Sequence, residues 1–185
     1  MKTVGEQIPA FSVTGVKPGF NDHEEKGVSA FETLTEASFA GKWKIIYFYP
    51  KDFTFVCPTE IVAFAKLNKE FADRDAVLLG GSTDNEFCKL AWRRGHPDLN
   101  RLNHWAFGDT NGSLVDGLGV REQTAGVALR ATFIVDPHNV IQHVSVNNLS
   151  VGRNPDEILR ILDALQSDEL CPCNRSVGGP TLKAA

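Results

Sequence analysis

The run Trp43-Lys44-Ile45-Ile46-Tyr47-Phe48-Tyr49 is almost continuously apolar. That is the pattern of a strand covered on both faces. Pro50 and Asp52 end it. From Pro58 to about Ala72 the spacing becomes helical, with Ile61, Phe64, Leu67 and Phe71 on one side. Pro58 suits the first helical position. Glu60, two residues on, is placed for a capping contact and for the positive end of the helix dipole. The alternation then repeats. Ala76 to Gly81 predicts a buried strand, Asp84 to Arg94 a helix, Trp105 to Phe107 a short strand and Ser113 to Leu118 a short helix. Ala131 to Val135 reads as a strand that ends at Asp136-Pro137. His138-Asn139 turns the chain into Val140 to Val146, its hairpin partner. The last helix is capped by Asn154, opened by Pro155 and given a box-like start by Glu157. Ile158, Ile161, Leu162 and Leu165 form its buried stripe. Residues 14–32, rich in Gly, Asp, Glu and Lys, read as surface turns. Strands alternating with helices, with one late hairpin, predict an α/β sandwich around a mixed central sheet.

The chain has 185 residues, enough for one domain and an extension. The domain is expected over 1–166 and a polar tail over 167–185. A hydrophobic fraction of 42% supports a sizeable core, and a chain of this size hides about 70% of its unfolded surface. Its 19 basic and 23 acidic side chains give a net charge of -4. That argues against nucleic acid as a partner, because phosphate contacts need clustered Lys and Arg. The longest apolar run is too short to span a membrane. The first residues, Met1 to Glu6, form no apolar signal region, so a cytoplasmic location is expected.

The four cysteines, at 57, 88, 171 and 173, change the picture most. The chain is neither short nor cysteine-dense, as a secreted disulfide scaffold would be. In a reducing cytosol such cysteines are buried, metal-binding or redox-active. Cys57 stands where a buried strand turns into a helix. A sulfur there lies near free backbone N–H groups and the positive dipole end, which favour the nucleophilic thiolate. Packing in the core is the other reading of Cys57, and position alone leaves the two about even. Cys88 shares an apolar helix side with Phe87, Ala91 and Trp92 and is expected to be a core thiol. The five His (23, 96, 104, 138, 143) show no metal spacing, and one Cys-x-Cys does not make a zinc site. Gly80-Gly81-Ser82 and Gly117-Leu118-Gly119 lack the dinucleotide fingerprint, so no nicotinamide, flavin or other cofactor is expected.

The stretch Tyr49-Pro50-Lys51-Asp52-Phe53-Thr54-Phe55-Val56-Cys57-Pro58-Thr59-Glu60 resembles the active-site loop of typical two-cysteine peroxiredoxins, in particular the alkyl hydroperoxide reductase C type. Pro50, Thr54 and Cys57 meet that family's spacing of Pro, three residues, Thr, two residues, Cys. Arg130, before Ala-Thr-Phe-Ile-Val-Asp, matches the family's second active-site position. The segment from Val151 to Cys173 resembles the C-terminal region of actinobacterial members, which carry a Cys-x-Cys tail. The resemblance covers most of the chain. It implies a thioredoxin-like fold and reduction of hydrogen peroxide, organic hydroperoxides and often peroxynitrite. It also implies a homodimer, commonly in a ring of dimers, in which Cys171 of one chain resolves Cys57 of the other.

The chemistry gives each residue a reason. A Cys57 thiolate attacking an O–O bond moves charge from sulfur to the leaving oxygen. Arg130 stays cationic and offers a planar fork of donors, so it is expected to stabilise both ends. The Thr54 hydroxyl is expected to accept from the peroxide and donate to sulfur. Pro50 removes a donor and stiffens the turn, shielding the thiolate. Glu60 is expected to orient Arg130 as its ionic partner. The sulfenic acid must be trapped before it oxidises further, which the resemblance assigns to Cys171. Cys173 is read as a second resolving or shuffling thiol, or as a bystander. Arg175 stands where relatives often have Trp, which bears on how the tail docks. The absence of a Tyr-Phe-bearing helix after the tail implies resistance to over-oxidation. The expected external reductant is thioredoxin, a flavoprotein disulfide reductase or a small dithiol adaptor, with the Cys-x-Cys tail tilting toward the adaptor. A thioredoxin-type oxidoreductase would need Cys-x-x-Cys, and Cys57-Pro58-Thr59-Glu60 lacks the second Cys. The alternative function is a thioredoxin-like binding module or chaperone-like assembly without turnover.

Overall fold

A computed structural model describes residues 1–183. Its strands are β1 (Ser12–Val16), β2 (Glu24–Glu25), β3 (Val28–Ser29), β4 (Phe31–Thr35), β5 (Trp43–Phe48), β6 (Ala76–Ser82), β7 (Trp105–Gly108), β8 (Arg130–Val135) and β9 (Ile141–Asn147). The helices are α1 (Cys57–Lys66), α2 (Asn68–Ala72), α3 (Glu86–Gly95), α4 (Ser113–Leu118) and α5 (Pro155–Gln166). Among the described residues the main sheet has the order β4-β1-β7-β6-β5-β8-β9. β5, β6 and β7 run parallel, while β1, β4, β8 and β9 pair antiparallel. The fold is thioredoxin-like, a mixed sheet between helices.

The apolar run of β5 explains the layering. Its side chains alternate between two cores. Ile45 and Tyr47 face Ile61, Phe64, Phe71, Leu90 and Leu162 from α1, α2, α3 and α5. Ile46 and Phe48 face Phe107, Leu114, Leu118 and Phe133 on the other side, under α4. The central strand is therefore buried on both faces, as its sequence predicts.

Four expectations need correction. Residues 14–32 are not all surface turns. They hold most of β1, the β2–β3 hairpin and the start of β4. β4 buries only Leu34 of its five side chains, too few for a readable alternation. The helix predicted from Pro58 to Ala72 is two helices, broken at Leu67, whose backbone leaves the helical region at φ -94, ψ 3. α3 begins at Glu86 because Asn85 is the cap, its side chain accepting from the Cys88 amide at 2.9 Å. Glu157 completes no capping box. Asn154 caps α5 by accepting from the Asp156 amide at 3.1 Å, while Glu157 pairs with Arg160. Among the described residues no helix is long and apolar enough to cross a membrane.

Candidate active site

α1 follows β5 through the segment 49–56, and that segment brings Cys57 to the first position of the helix. The N-cap is Val56, which brings no side-chain oxygen, so the positive end of the helix is left to the sulfur. Cys57 is 1% exposed. Arg130, the first residue of β8, points a guanidinium N–H at the sulfur, with Nη1 3.4 Å from Sγ. The same nitrogen donates to Glu60 Oε2 at 2.5 Å. The Arg130 Nε donates to the Leu149 carbonyl at 2.8 Å, which fixes the plane of the fork.

Glu60 lies one turn beyond Cys57 and is almost fully buried. Its side chain does not cap α1, as sequence spacing suggests. It joins two arginines instead. Its Oε1 accepts from the Arg153 backbone N–H at 3.0 Å and from Arg153 Nε at 2.8 Å. Arg153 Nη1 continues to the Ala131 carbonyl at 2.8 Å and the Thr132 hydroxyl at 3.3 Å. The Arg153 guanidinium also sits over the Tyr47 and Phe64 rings, 5.4 and 5.7 Å from their centroids. Two buried cations against one carboxylate leave one positive charge unbalanced. A thiolate at Cys57 would balance it. Burial alone would pull the Arg130 guanidinium down. The hydrogen bond to Cys57 and the charges of Glu60 and Cys57 outweigh it and hold Arg130 above the usual arginine value. Burial pushes the Tyr47 and Tyr49 phenols well up, so both stay neutral beside the site.

Pro50 is buried where β5 gives way to the loop. Thr54 departs from its expected contact. Its hydroxyl donates to the Lys51 carbonyl at 3.1 Å, inside the loop, and not to the Cys57 sulfur. Cys171 and Cys173 lie elsewhere. Cys171 is half-buried beyond the C-terminal end of α5, its sulfur 3.4 Å from Ser167 Oγ and 3.7 Å from the Ala164 carbonyl. A groove of about 550 Å³, lined in part by Arg160, Ile161, Leu165, Leu170 and Cys171, opens beside it. Cys173 is exposed.

Arg175 docks the tail. Its Nη1 donates to Asp163 Oδ2 at 2.6 Å, and its carbonyl accepts from Arg160 Nη1 at 3.3 Å. Asp163 also accepts from Arg74 Nε and Nη2 and from the Gly178 amide. Tail residues 184–185 lie outside the described residues. Cys88 is not the core thiol expected. It is half-buried, Phe87 is 59% exposed, and α3 buries Lys89, Leu90, Trp92 and Arg93 instead. All four cysteines are free thiols.

Arg153 escaped the sequence reading. It sits just before the α5 cap and meets Glu60 across 93 positions, so no local pattern announces it. Among the described residues no three His, Cys, Asp or Glu side chains gather as a metal site requires.

A buried cysteine at a helix start on a thioredoxin-like sheet, with an arginine at its sulfur and a carboxylate behind that arginine, is an arrangement suited to thiol-based reduction of a peroxide. Comparison with known proteins agrees. The AhpC/TSA family pattern matches residues 4–144, and the chain belongs to that family. It is 52% identical over 184 residues to alkyl hydroperoxide reductase C of Mycolicibacterium smegmatis, covering 98% of this chain and 94% of that protein. It is 40% identical over 174 residues to thioredoxin peroxidase of Trypanosoma brucei rhodesiense, covering 90% and 87%. Among solved structures, Mycobacterium tuberculosis AhpC matches with a TM-score of 0.84 at 50% identity, covering 92% of this chain and 97% of that one. The reduced Plasmodium vivax 2-Cys peroxiredoxin matches with a TM-score of 0.87 at 35% identity, covering 99% and 94%.

Proposed function

We propose that this peroxidase reduces hydrogen peroxide and organic hydroperoxides, peroxynitrite among its further substrates, at Cys57, and that Cys171 of a partner subunit completes the cycle. The carrying observation is the Arg130 guanidinium 3.4 Å from a buried sulfur, with Glu60 and Arg153 behind it. The Cys57 thiolate attacks the nearer peroxide oxygen. An S–O bond forms and the O–O bond breaks. The sulfur loses two electrons, and the leaving oxygen departs as alkoxide or hydroxide and takes a proton. Arg130 faces that developing charge with donors fixed in advance. Pro50 shields the sulfur. Thr54 is given the role of orienting the peroxide, its hydroxyl turning from Lys51 when substrate enters.

The product is Cys57 sulfenic acid. A Cys171 thiolate attacks its sulfur, an S–S bond forms, and the oxygen leaves as water. Within one chain, Cys57 lies under Arg130 while Cys171 rests against Ser167 and Ala164. This supports resolution between chains and a division into a catalytic body over 1–166 and a redox tail over 167–185. The family implies a peroxide substrate and a dimeric or larger assembly; a ring of dimers is the arrangement proposed here. Cys173 is given the role of second resolving thiol. An external dithiol must return both electrons: thioredoxin, a flavoprotein disulfide reductase or a dithiol adaptor, with the Cys-x-Cys tail favouring the adaptor. A cycle through free thiols suits a reducing cytoplasm.

Rapid mixing with hydrogen peroxide and cumene hydroperoxide tests the reading on wild type and Cys57→Ser, with non-reducing gels of the same samples. A fast second-order reaction lost in the variant, with a covalent dimer only in wild type, is expected. Slow reaction of the wild type with both peroxides would overturn it in favour of a binding or chaperone-like assembly. A fast reaction without a covalent dimer would keep the peroxidase and move resolution inside one chain or to an outside thiol.

A further inference from the structure

A second buried ion pair lies outside the Cys57 cluster. Lys89 of α3 and Asp52 of the β5–α1 segment have side chains only 1% and 2% exposed. The Lys89 ammonium donates to Asp52 Oδ1 at 2.9 Å, to Asp52 Oδ2 at 3.1 Å and to Ser82 Oγ at 2.7 Å. Its three N–H groups thus meet three acceptors. It also sits 5.2 Å from the centroid of the Tyr49 ring. Ser82, at the end of β6, lies 3.2 Å from Asp52 Oδ1 and 3.0 Å from Asp84 Oδ2. The Asp84 carboxylate accepts from the Asp52 backbone N–H at 2.8 Å. Asp52 is therefore held twice, by its side chain and by its backbone.

Its position gives the tie its meaning. Asp52 stands five residues before Cys57. The preceding residue, Lys51, supplies the carbonyl that holds Thr54. The following residue, Phe53, has φ +57 and stacks on Trp92 of α3, 5.7 Å between centroids. α3 thus grips two consecutive residues of the loop, one by charge and one by an aromatic face. A buried ion pair adds little stability over an apolar pair of the same volume. It does fix direction, which an apolar pair would not.

We propose that Lys89 and Asp52 are positioning residues for peroxide reduction, fixing the Pro50–Val56 segment so that Pro50 and Thr54 meet the peroxide at the Cys57 sulfur. This rests on the reading of Cys57 as the peroxide-reducing thiol. Neither residue touches the sulfur in the contacts described. Their effect should therefore fall on the reaction that needs an aligned O–O bond and spare a reaction that needs only the thiolate.

The volume-matched neutral pair Asp52→Leu with Lys89→Met tests this. Three measurements apply to the full chain: the second-order rate with hydrogen peroxide, the rate of iodoacetamide alkylation of the Cys57 peptide from pH 5 to 9, and the thermal midpoint. The expected result is a peroxide rate lower by about 10- to 100-fold, the scale of a misplacement near 1 Å. The alkylation profile should be unchanged. If the pair variant does not fold, Asp84→Ala, which removes the acceptor of the Asp52 amide and a contact to Ser82 but leaves the Lys89–Asp52 pair, should lower the peroxide rate several-fold with the same alkylation profile. An unchanged peroxide rate in a folded variant overturns the proposal. So does an equal fall in both rates, which marks a general disturbance of the thiol. A wild type that reacts slowly with peroxide overturns the reading of Cys57 itself and this proposal with it. A fast wild type with an equally fast variant overturns this proposal alone.

Discussion

The two ends of the proposed disulfide are built in opposite ways. Cys57 is buried, and its partners come from distant parts of the chain: Arg130 lies 73 positions away, and Arg153 meets Glu60 across 93. Cys171 is half-buried, and among the described residues its sulfur bonds Ser167 and Ala164, four and seven positions away. The first thiol needs charge prearranged around it, which a rigid core supplies. The second needs to travel, and short-range, weak contacts leave it free to do so. The tail is nonetheless pinned, and its pin lies at Asp163, away from the sulfur itself.

The contrast breaks hardest at Arg130. Arg130→Gln should lower the peroxide rate by about 100- to 1000-fold, the usual cost of losing a donor to developing oxyanion charge. Cys171→Ser should leave that first step unchanged and slow formation of the covalent dimer, and adding Cys173→Ser should abolish it. Rapid mixing followed by non-reducing gels reads both, and a small loss in Arg130→Gln would remove the arginine from the mechanism. Glu60→Gln should cost stability as well as rate, because it leaves two buried guanidiniums without their carboxylate. The destabilisation should be about 3–5 kcal/mol, seen as a lower denaturation midpoint.

Asp163→Asn acts on the other end. It weakens the bonds by which Asp163 of α5 holds Arg175 and Gly178 of the tail, along with its own tie to Arg74. Limited proteolysis should then cut within 167–183 faster than in wild type, with the first-step peroxide rate unchanged. Equal cleavage in both proteins would mean that Asp163 does not hold the tail.

A change of pH also separates the two regions. His104 is buried and bonds the Tyr47 hydroxyl at 2.7 Å. Burial, with the Arg93 charge added, lowers it from 6.5 to about 3. The unfolded chain protonates this His below 6.5 while the folded chain does not, so stability falls as pH drops through 6.5 toward 3. The slope approaches roughly 1.4 kcal/mol per pH unit. Asp163 behaves differently. Its own burial would raise it, but the Gly178 amide, Arg175 and Arg74 hold it below 3.8. Its contribution is present above 3.8 and lost only as pH falls below that value. Mild acid should therefore weaken the core under Cys57 before it loosens the tail. His104→Gln should flatten the stability slope between pH 6.5 and 4, and an unchanged slope in chemical denaturation would refute the assignment.

These regions also differ in how far the sequence reveals them. β5 and the start of α1 are legible because a two-sided apolar run followed by Cys57-Pro58 is a local pattern. Arg130 is legible only through a family motif, and Pro50 and Thr54 likewise. Arg153, Lys89 and Ser82 are not legible, because each acquires its meaning from a partner brought close by the sheet. β4 hides for a different reason, with a single side chain buried along an edge strand. Cys88 misleads because its apolar neighbours Phe87 and Ala91 do not face the core, while the charged Lys89 and Arg93 do.

The bridge at Glu60 also constrains how this site can change by mutation. One carboxylate serves two buried guanidiniums, so replacing Glu60 strands two cations in the interior. That costs several kcal/mol, against a total margin of about 5–15 kcal/mol for a whole domain. A single substitution at 60 is therefore a steep step, while one at 130 or 153 leaves the other arginine paired with Glu60. A route to a different activity that passes through Glu60 would have to replace these positions in concert, whereas one that begins in the tail loses contacts that cost the fold far less.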